Sequence, residues 1–157
     1  MAKIILGLDP GIADTGYGVI SCDKGKFLCL AYGSIKTKVQ NSLSERLETL
    51  DKELEKIIEK YQPELVAVEH LFFNKNVKTA LIVGQARGVL LLRIKKSGLK
   101  ILEFTPGQVK QSVAAYGRAS KKQVQKMVKI ILGLKTLPEP DDAADALALA
   151  ICSSSFK

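Results

Sequence analysis

The chain has no tryptophan, one histidine and three cysteines in 157 residues. A lone histidine cannot complete a mixed Cys/His zinc site, and Cys22, Cys29 and Cys152 lack CxxC spacing, so a zinc centre and a paired redox motif are both excluded. Long apolar runs are also missing. Stretches such as Ile4-Ile5-Leu6-Gly7-Leu8 and Val89-Leu90-Leu91-Leu92 fall far short of the roughly 20 residues that a membrane-spanning helix needs. Five apolar residues followed by Asp9 do not make the hydrophobic region of an export signal. The expectation is therefore a cytoplasmic protein, away from membranes, whose cysteines stay reduced and pack as small hydrophobes.

Acid is scarce relative to base: 16 Asp and Glu stand against 24 Lys and Arg, a net charge of +8. A surplus of that size on so short a chain points to a polyanionic partner. It is also localised. Between Arg93 and Lys135 there are eleven basic residues and a single acid, Glu103, while the rest of the chain carries a net −2. A continuous basic segment favours a nucleic-acid-binding face over general solubility. The length suits one ordinary domain, which buries about 68–70% of its unfolded surface.

The periodicity predicts an alternation of strands and helices. Lys3 to Leu8 is an apolar run stopped by Asp9-Pro10-Gly11. Gly16 to Ser21 and Lys26 to Ile35 read as a hairpin turning at Asp23-Lys24-Gly25. Ser42 with Glu45 forms a capping box before Leu43, Leu47, Leu50, Leu54, Ile57 and Tyr61, which recur at helical spacing until Pro63. Leu65 to Glu69 is a buried strand, Val77 to Lys96 a long helix, and Lys100 to Phe104 another strand. Helices then open at Thr105-Pro106 and at Ser120, stopping at Gly117 and Gly133, and an alanine-rich helix spans Asp141 to Cys152. These elements describe an α/β fold, a mixed sheet covered by helices.

Four carboxylates stand out by position. Asp9 and Glu69 each terminate an apolar strand, and Asp142 and Asp145 lie three apart on one face of the final helix. Asp141 points about 100° away from Asp142, since each helical residue advances by that angle, and serves only the helix dipole. If the two strands are neighbours and the helix crosses their ends, the four acids share one site. Like charges so close raise one another's pKa values unless a cation neutralises them, and ligands that are all oxygen suit Mg²⁺ or Mn²⁺. Two such ions about 3.5–4 Å apart can activate water and stabilise the leaving oxygen of a phosphodiester. A metal-dependent nuclease is the expected class.

In chain order, Gly7-Leu8-Asp9-Pro10-Gly11 with Thr15-Gly16-Tyr17-Gly18, Val68-Glu69-His70 with Phe72, Gly84-Gln85-Ala86-Arg87-Gly88, Gln108-Val109-Lys110-Gln111 and Asp142-Ala143-Ala144-Asp145-Ala146-Leu147-Ala148 resemble the RuvC family of bacterial Holliday-junction resolvases. The resemblance implies an RNase H-like fold, a mixed five-stranded sheet flanked by helices, forming a single domain over residues 1–157. It also implies a homodimer that nicks a four-way DNA junction symmetrically in recombination and repair, leaving 5′-phosphate and 3′-hydroxyl ends, in partnership with RuvA and RuvB. By the same resemblance Asp9 bridges two Mg²⁺ ions, Glu69 and Asp142 complete their coordination, and Asp145 holds the second ion. Phe72 matches an aromatic that stacks near the crossover, and Lys110 and Lys121 match lysines facing the scissile phosphate, with Arg118 and Lys122 beside them. Gly84 and Gly88 match small residues of a helix at the dimer interface. His70 stands where relatives carry Gln and is read as a spectator, because alternation turns it from the face of Glu69. Phe73 is read as an anchor for its loop, and Lys126 and Lys129 as an ordinary solvated face.

Two rival readings are weaker. The Asp9 and Thr15 segments could pass for the phosphate-binding hairpin of actin-like phosphotransferases, but those enzymes need two lobes and this chain has length for one. A junction-binding module without catalysis would be expected to have lost carboxylates, and all four are present.

Overall fold

A computed structural model describes residues 1–70 and 76–156 of the chain. It contains strands β1 (Lys3–Asp9), β2 (Asp14–Asp23), β3 (Lys26–Lys36), β4 (Leu65–Glu69) and β5 (Lys100–Phe104), and helices α1 (Leu43–Tyr61), α2 (Val77–Lys96), α3 (Pro106–Ala114), α4 (Lys121–Leu132) and α5 (Asp141–Ser153). The strands form one five-stranded sheet in the order β3-β2-β1-β4-β5. β2 pairs antiparallel with both β1 and β3, whereas β4 and β5 extend the sheet in parallel with β1. The mixed sheet expected from the sequence is therefore present.

Side-chain alternation sorts the core into two layers. Leu6, Leu8, Val66 and Val68 point to the face covered by α1 and α2, where they meet Leu50, Leu54, Ala86 and Leu90. Ile5, Leu65 and Ala67 point to the opposite face and pack with Val109, Val128, Leu147 and Ile151 from α3, α4 and α5. Because Gly7 has no side chain on that second face, α5 can lie directly on the sheet. A Cβ added there would stand 1.9 Å from the carbonyl oxygen of Ala146. Cys152 is fully buried in this layer, but Cys22 and Cys29 lie half-buried on the β2–β3 hairpin.

Helix starts follow local chemistry. Thr105 and Ser120 form reciprocal capping boxes with Gln108 and Gln123, while Ser42 achieves half of one, accepting from the Glu45 N–H at 3.3 Å. Several boundaries differ from expectation, and two of the shifts have a visible cause. β2 begins at Asp14, two residues early, because the Asp14 carboxylate is held across the strand pair by Lys36 Nζ at 2.8 Å and Ser34 Oγ at 3.1 Å. α3 ends at Ala114, with Ala115 left-handed, and not at Gly117. Ala119 is 2% exposed, so the chain must turn back early to bury it, and its N–H closes that turn on the Tyr116 carbonyl at 3.0 Å.

Candidate active site

The alternation that builds the core also aims the acids. Asp9 follows Ile5 and Gly7 on the α5 side of β1, and Glu69 follows Leu65 and Ala67 on the same side of β4. The strands are parallel neighbours in a register that pairs Leu8 with Val68, so the two carboxylates emerge side by side at the sheet's end. α5 brings Asp142 and Asp145 to the same place. Its first turn lies against β2 where Gly16 leaves room, since a Cβ on Gly16 would stand 2.0 Å from the carbonyl oxygen of Asp142. The N-cap of α5 is Pro140, which offers no side-chain bond, so acids in the first turn are what complement its dipole.

Carboxylate oxygens of Asp9, Asp142 and Asp145 all lie within 4.8 Å of one another. Glu69 is in hydrogen-bonding reach of Asp9. Burial, followed by the charges of Glu69, Asp145 and Asp142, pushes Asp9 up from 3.8 to about 8. Glu69 is raised by burial and by Asp145, although Asp9, Lys121 and Lys110 pull it partly back. Asp145 is raised by burial against the opposing pull of Lys121. Half-buried carboxylates that repel one another and offer only oxygen are the donor set a hard divalent cation takes.

Lysines border the cluster. Lys121 Nζ approaches Asp145 at 3.3 Å and Asp141 at 4.0 Å, while Asp141 turns outward to accept from Gln125 Nε2 at 3.2 Å. Burial pulls the Lys121 ammonium down, but Asp145, Asp141 and Asp142 together hold it above its ordinary value. Lys110 and Lys121 join Glu69 and Asp145 around a cavity of about 210 Å³ floored by Val109, Val124, Ala148 and Leu149. Arg118 and Lys122 sit exposed on the same α3–α4 segment. Phe72 and Phe73 lie outside the described residues. His70 turns away from the acids, as alternation implied, and its Nδ1 stands 3.2 Å from Glu103 Oε2.

Sequence reasoning passed over Arg87. Its Nε donates to the Glu69 carbonyl at 3.2 Å, and its Nη2 pairs with Glu103 Oε1 at 2.9 Å. The one available signal was the solitary acid, Glu103, in an otherwise basic stretch, since an isolated charge of opposite sign marks a specific partner.

Fold and site together define a class: an RNase H-like α/β protein with a carboxylate centre at the end of its sheet, the arrangement of a metal-dependent nuclease. The family described as crossover junction endodeoxyribonuclease RuvC matches residues 5–153, and the chain belongs to that family. The protein of that name from Ruminiclostridium cellulolyticum is 57% identical over 149 residues, covering 95% of this chain and 90% of its own length. The Thermus thermophilus RuvC structure superposes with a TM-score of 0.91 at 36% identity, covering 98% of this chain and 95% of that one. The T. thermophilus RuvC in complex with Holliday junction substrate superposes with a TM-score of 0.90 at 34% identity, covering 98% and 94%. No helix among the described residues is long and apolar enough to cross a membrane.

Proposed function

We infer that the chain is a crossover junction endodeoxyribonuclease that resolves four-way DNA junctions by hydrolysing phosphodiesters, in recombination and repair. One observation carries this reading: strand ends and helix start bring Asp9, Asp142 and Asp145 within 4.8 Å, with Glu69 alongside, beside the basic α3–α4 segment. Asp9, Glu69, Asp142 and Asp145 hold the metal, Mg²⁺ by preference with Mn²⁺ as a substitute, and the number of carboxylates suits two ions per site. Bound cations supply the charge that lets water attack phosphorus and lets the 3′ oxygen leave. The chain's own groups do the rest. Lys110 and Lys121 meet the phosphates that flank the cut, Arg118 and Lys122 extend that contact along the strand, and Asp9, pushed up to about 8 by burial and its acidic neighbours, is the carboxylate that a bound cation would keep ionised.

Residues 1–157 act as one nuclease domain, and symmetric cutting of a twofold junction calls for two of them. A stripe on α2 supports a homodimer: Val77, Leu81 and Leu92 are 61%, 59% and 56% exposed, and an added Cβ on Gly88 between them would meet nothing within 4 Å. Burying such a stripe against its twin removes apolar surface from water. Handover from a RuvA–RuvB complex in the cytoplasm fits a chain with this activity, and base stacking at the crossover is the role for Phe72.

The test is cleavage of a synthetic mobile four-way junction with Mg²⁺. Wild type cuts opposing strands symmetrically, and Asp9→Asn still binds the junction but loses cleavage by about 10³-fold or more. Equal cutting by the variant removes Asp9 from the mechanism, and binding without cutting by wild type refutes the nuclease reading.

A further inference from the structure

We propose that Arg87 is a positioning residue for Glu69: it fixes the end of β4, through Glu103, so that the Glu69 carboxylate is already aimed at the metal centre. This rests on the reading of Glu69 as a metal ligand.

The geometry begins with the peptide that joins Glu69 to His70. Its carbonyl oxygen accepts from Arg87 Nε at 3.2 Å, and its N–H donates to the Phe104 carbonyl of β5 at 2.9 Å. Both polar groups of the unit are thereby held, one from α2 and one from β5. The same guanidinium pairs through Nη2 with Glu103 Oε1 at 2.9 Å, and the second oxygen of Glu103 lies 3.2 Å from His70 Nδ1. One planar group thus ties together α2, the last residue of β4 and β5. Its side chain is 15% exposed, and its charge is matched by Glu103. This distinguishes Arg87 from Arg118 and Lys122, which are exposed on the α3–α4 segment.

Glu69 needs such support because it is the last residue of its strand. Its strand's ladder ends there with the register to Phe104 and the following bond from the His70 N–H to the Phe104 carbonyl, yet Glu69 must stand beside Asp9, whose charge opposes its own. A ligand held by a fixed backbone binds a cation without first losing conformational freedom, which is why partners that orient ligands matter for affinity. Lysine cannot replace arginine here. Its single ammonium lacks the Nε and Nη2 fork that reaches a carbonyl and a carboxylate together.

The experiment compares Arg87→Lys, Arg87→Ala and Glu69→Gln in the full chain. Four quantities are measured: thermal melting, junction binding in EDTA, kcat and KM for junction cleavage, and Mn²⁺ binding to DNA-free protein from the electron paramagnetic resonance of free Mn²⁺. Arg87→Lys is expected to melt near wild type and to bind the junction equally in EDTA. Its kcat falls and its Mn²⁺ midpoint rises by about 10- to 100-fold, with KM unchanged. Arg87→Ala shows the same signs with a larger effect, and if it does not fold, Arg87→Lys alone decides. Wild-type kcat and Mn²⁺ midpoint in Arg87→Lys overturn the proposal, and so does a defect confined to KM and EDTA binding, which marks a phosphate contact. If Glu69→Gln cleaves like wild type, the ligand reading of Glu69 fails first. If Glu69→Gln is inactive while Arg87→Lys is normal, only the positioning role fails.

Discussion

Two regions of this molecule treat carboxylates in opposite ways. Along the α1–α2 seam every acid that matters has a base. Arg93 donates from Nε and Nη2 to the two oxygens of Asp51 at 2.7 and 2.9 Å and from Nη1 to Glu55 at 3.3 Å. The hydrogen bond from Arg93 holds the Asp51 carboxyl below its ordinary range. At the sheet's end, Asp9, Glu69 and Asp145 are all driven upward by burial and by neighbouring acids, and among the described residues the ion pair that reaches them runs from Lys121 to Asp145. Opposite charges in contact hold two helices together; like charges in contact oppose folding. The contrast sets a part built for stability against a part whose balance, on the proposed reading, a cation completes.

Predictions that break this contrast fall in order of size. The largest follows from Gly16→Ala. The new methyl group collides with the Asp142 carbonyl, so the start of α5 must shift and carry Asp142 and Asp145 from Asp9. Junction cleavage is expected to fall by about 10²-fold or more, the scale of a misplaced catalytic group, with a lowered melting temperature. Full activity in Gly16→Ala, measured on the same junction, would mean that α5 does not set the site's geometry.

Lys121→Ala comes next. Removing a phosphate contact beside the cut should reduce cleavage by about tenfold and lower the salt slope of junction binding by about one. An unchanged slope would confine Lys121 to its pairing with Asp145. The smallest effect belongs to the seam. Asp51→Asn should lower the melting temperature by a few degrees near neutral pH and leave cleavage as it was. Its contribution is present above the ordinary carboxylate range and is lost as pH falls through the depressed value, so the difference from wild type should vanish in acid. A cleavage defect in this variant would show that the two regions are coupled.

Much of the site was legible because its rules are local. Apolar runs that end on Asp9 and Glu69 marked two strand-end acids, and a spacing of three aligned Asp142 with Asp145. The remainder depended on contacts between distant segments. Nothing near Ala115 in sequence announces that burying Ala119 stops α3 early. Gly16 reads as the first residue of a strand until α5 is seen against it. Arg87 reads as another base until its guanidinium is found between the Glu69 carbonyl and Glu103. The parallel pairing of β1 with β4, separated by a hairpin and a helix, is the long-range step that local patterning suggested but could not fix.

Asp9 gives the most direct test. Its value in the folded chain lies above the 3.8 of an ordinary aspartate, at about 8, so between those limits the metal-free folded state binds the extra proton and its stability declines as pH rises. Thermal melting of wild type and Asp9→Asn in EDTA and in Mg²⁺, from pH 5 to 8.5, measures this. The account predicts that wild type in EDTA melts progressively lower as pH rises, that Mg²⁺ restores it most at the alkaline end, and that Asp9→Asn shows a flatter profile and a weaker Mg²⁺ response. Identical profiles for the two proteins, with no Mg²⁺ effect on either, would contradict a carboxylate centre completed by a cation.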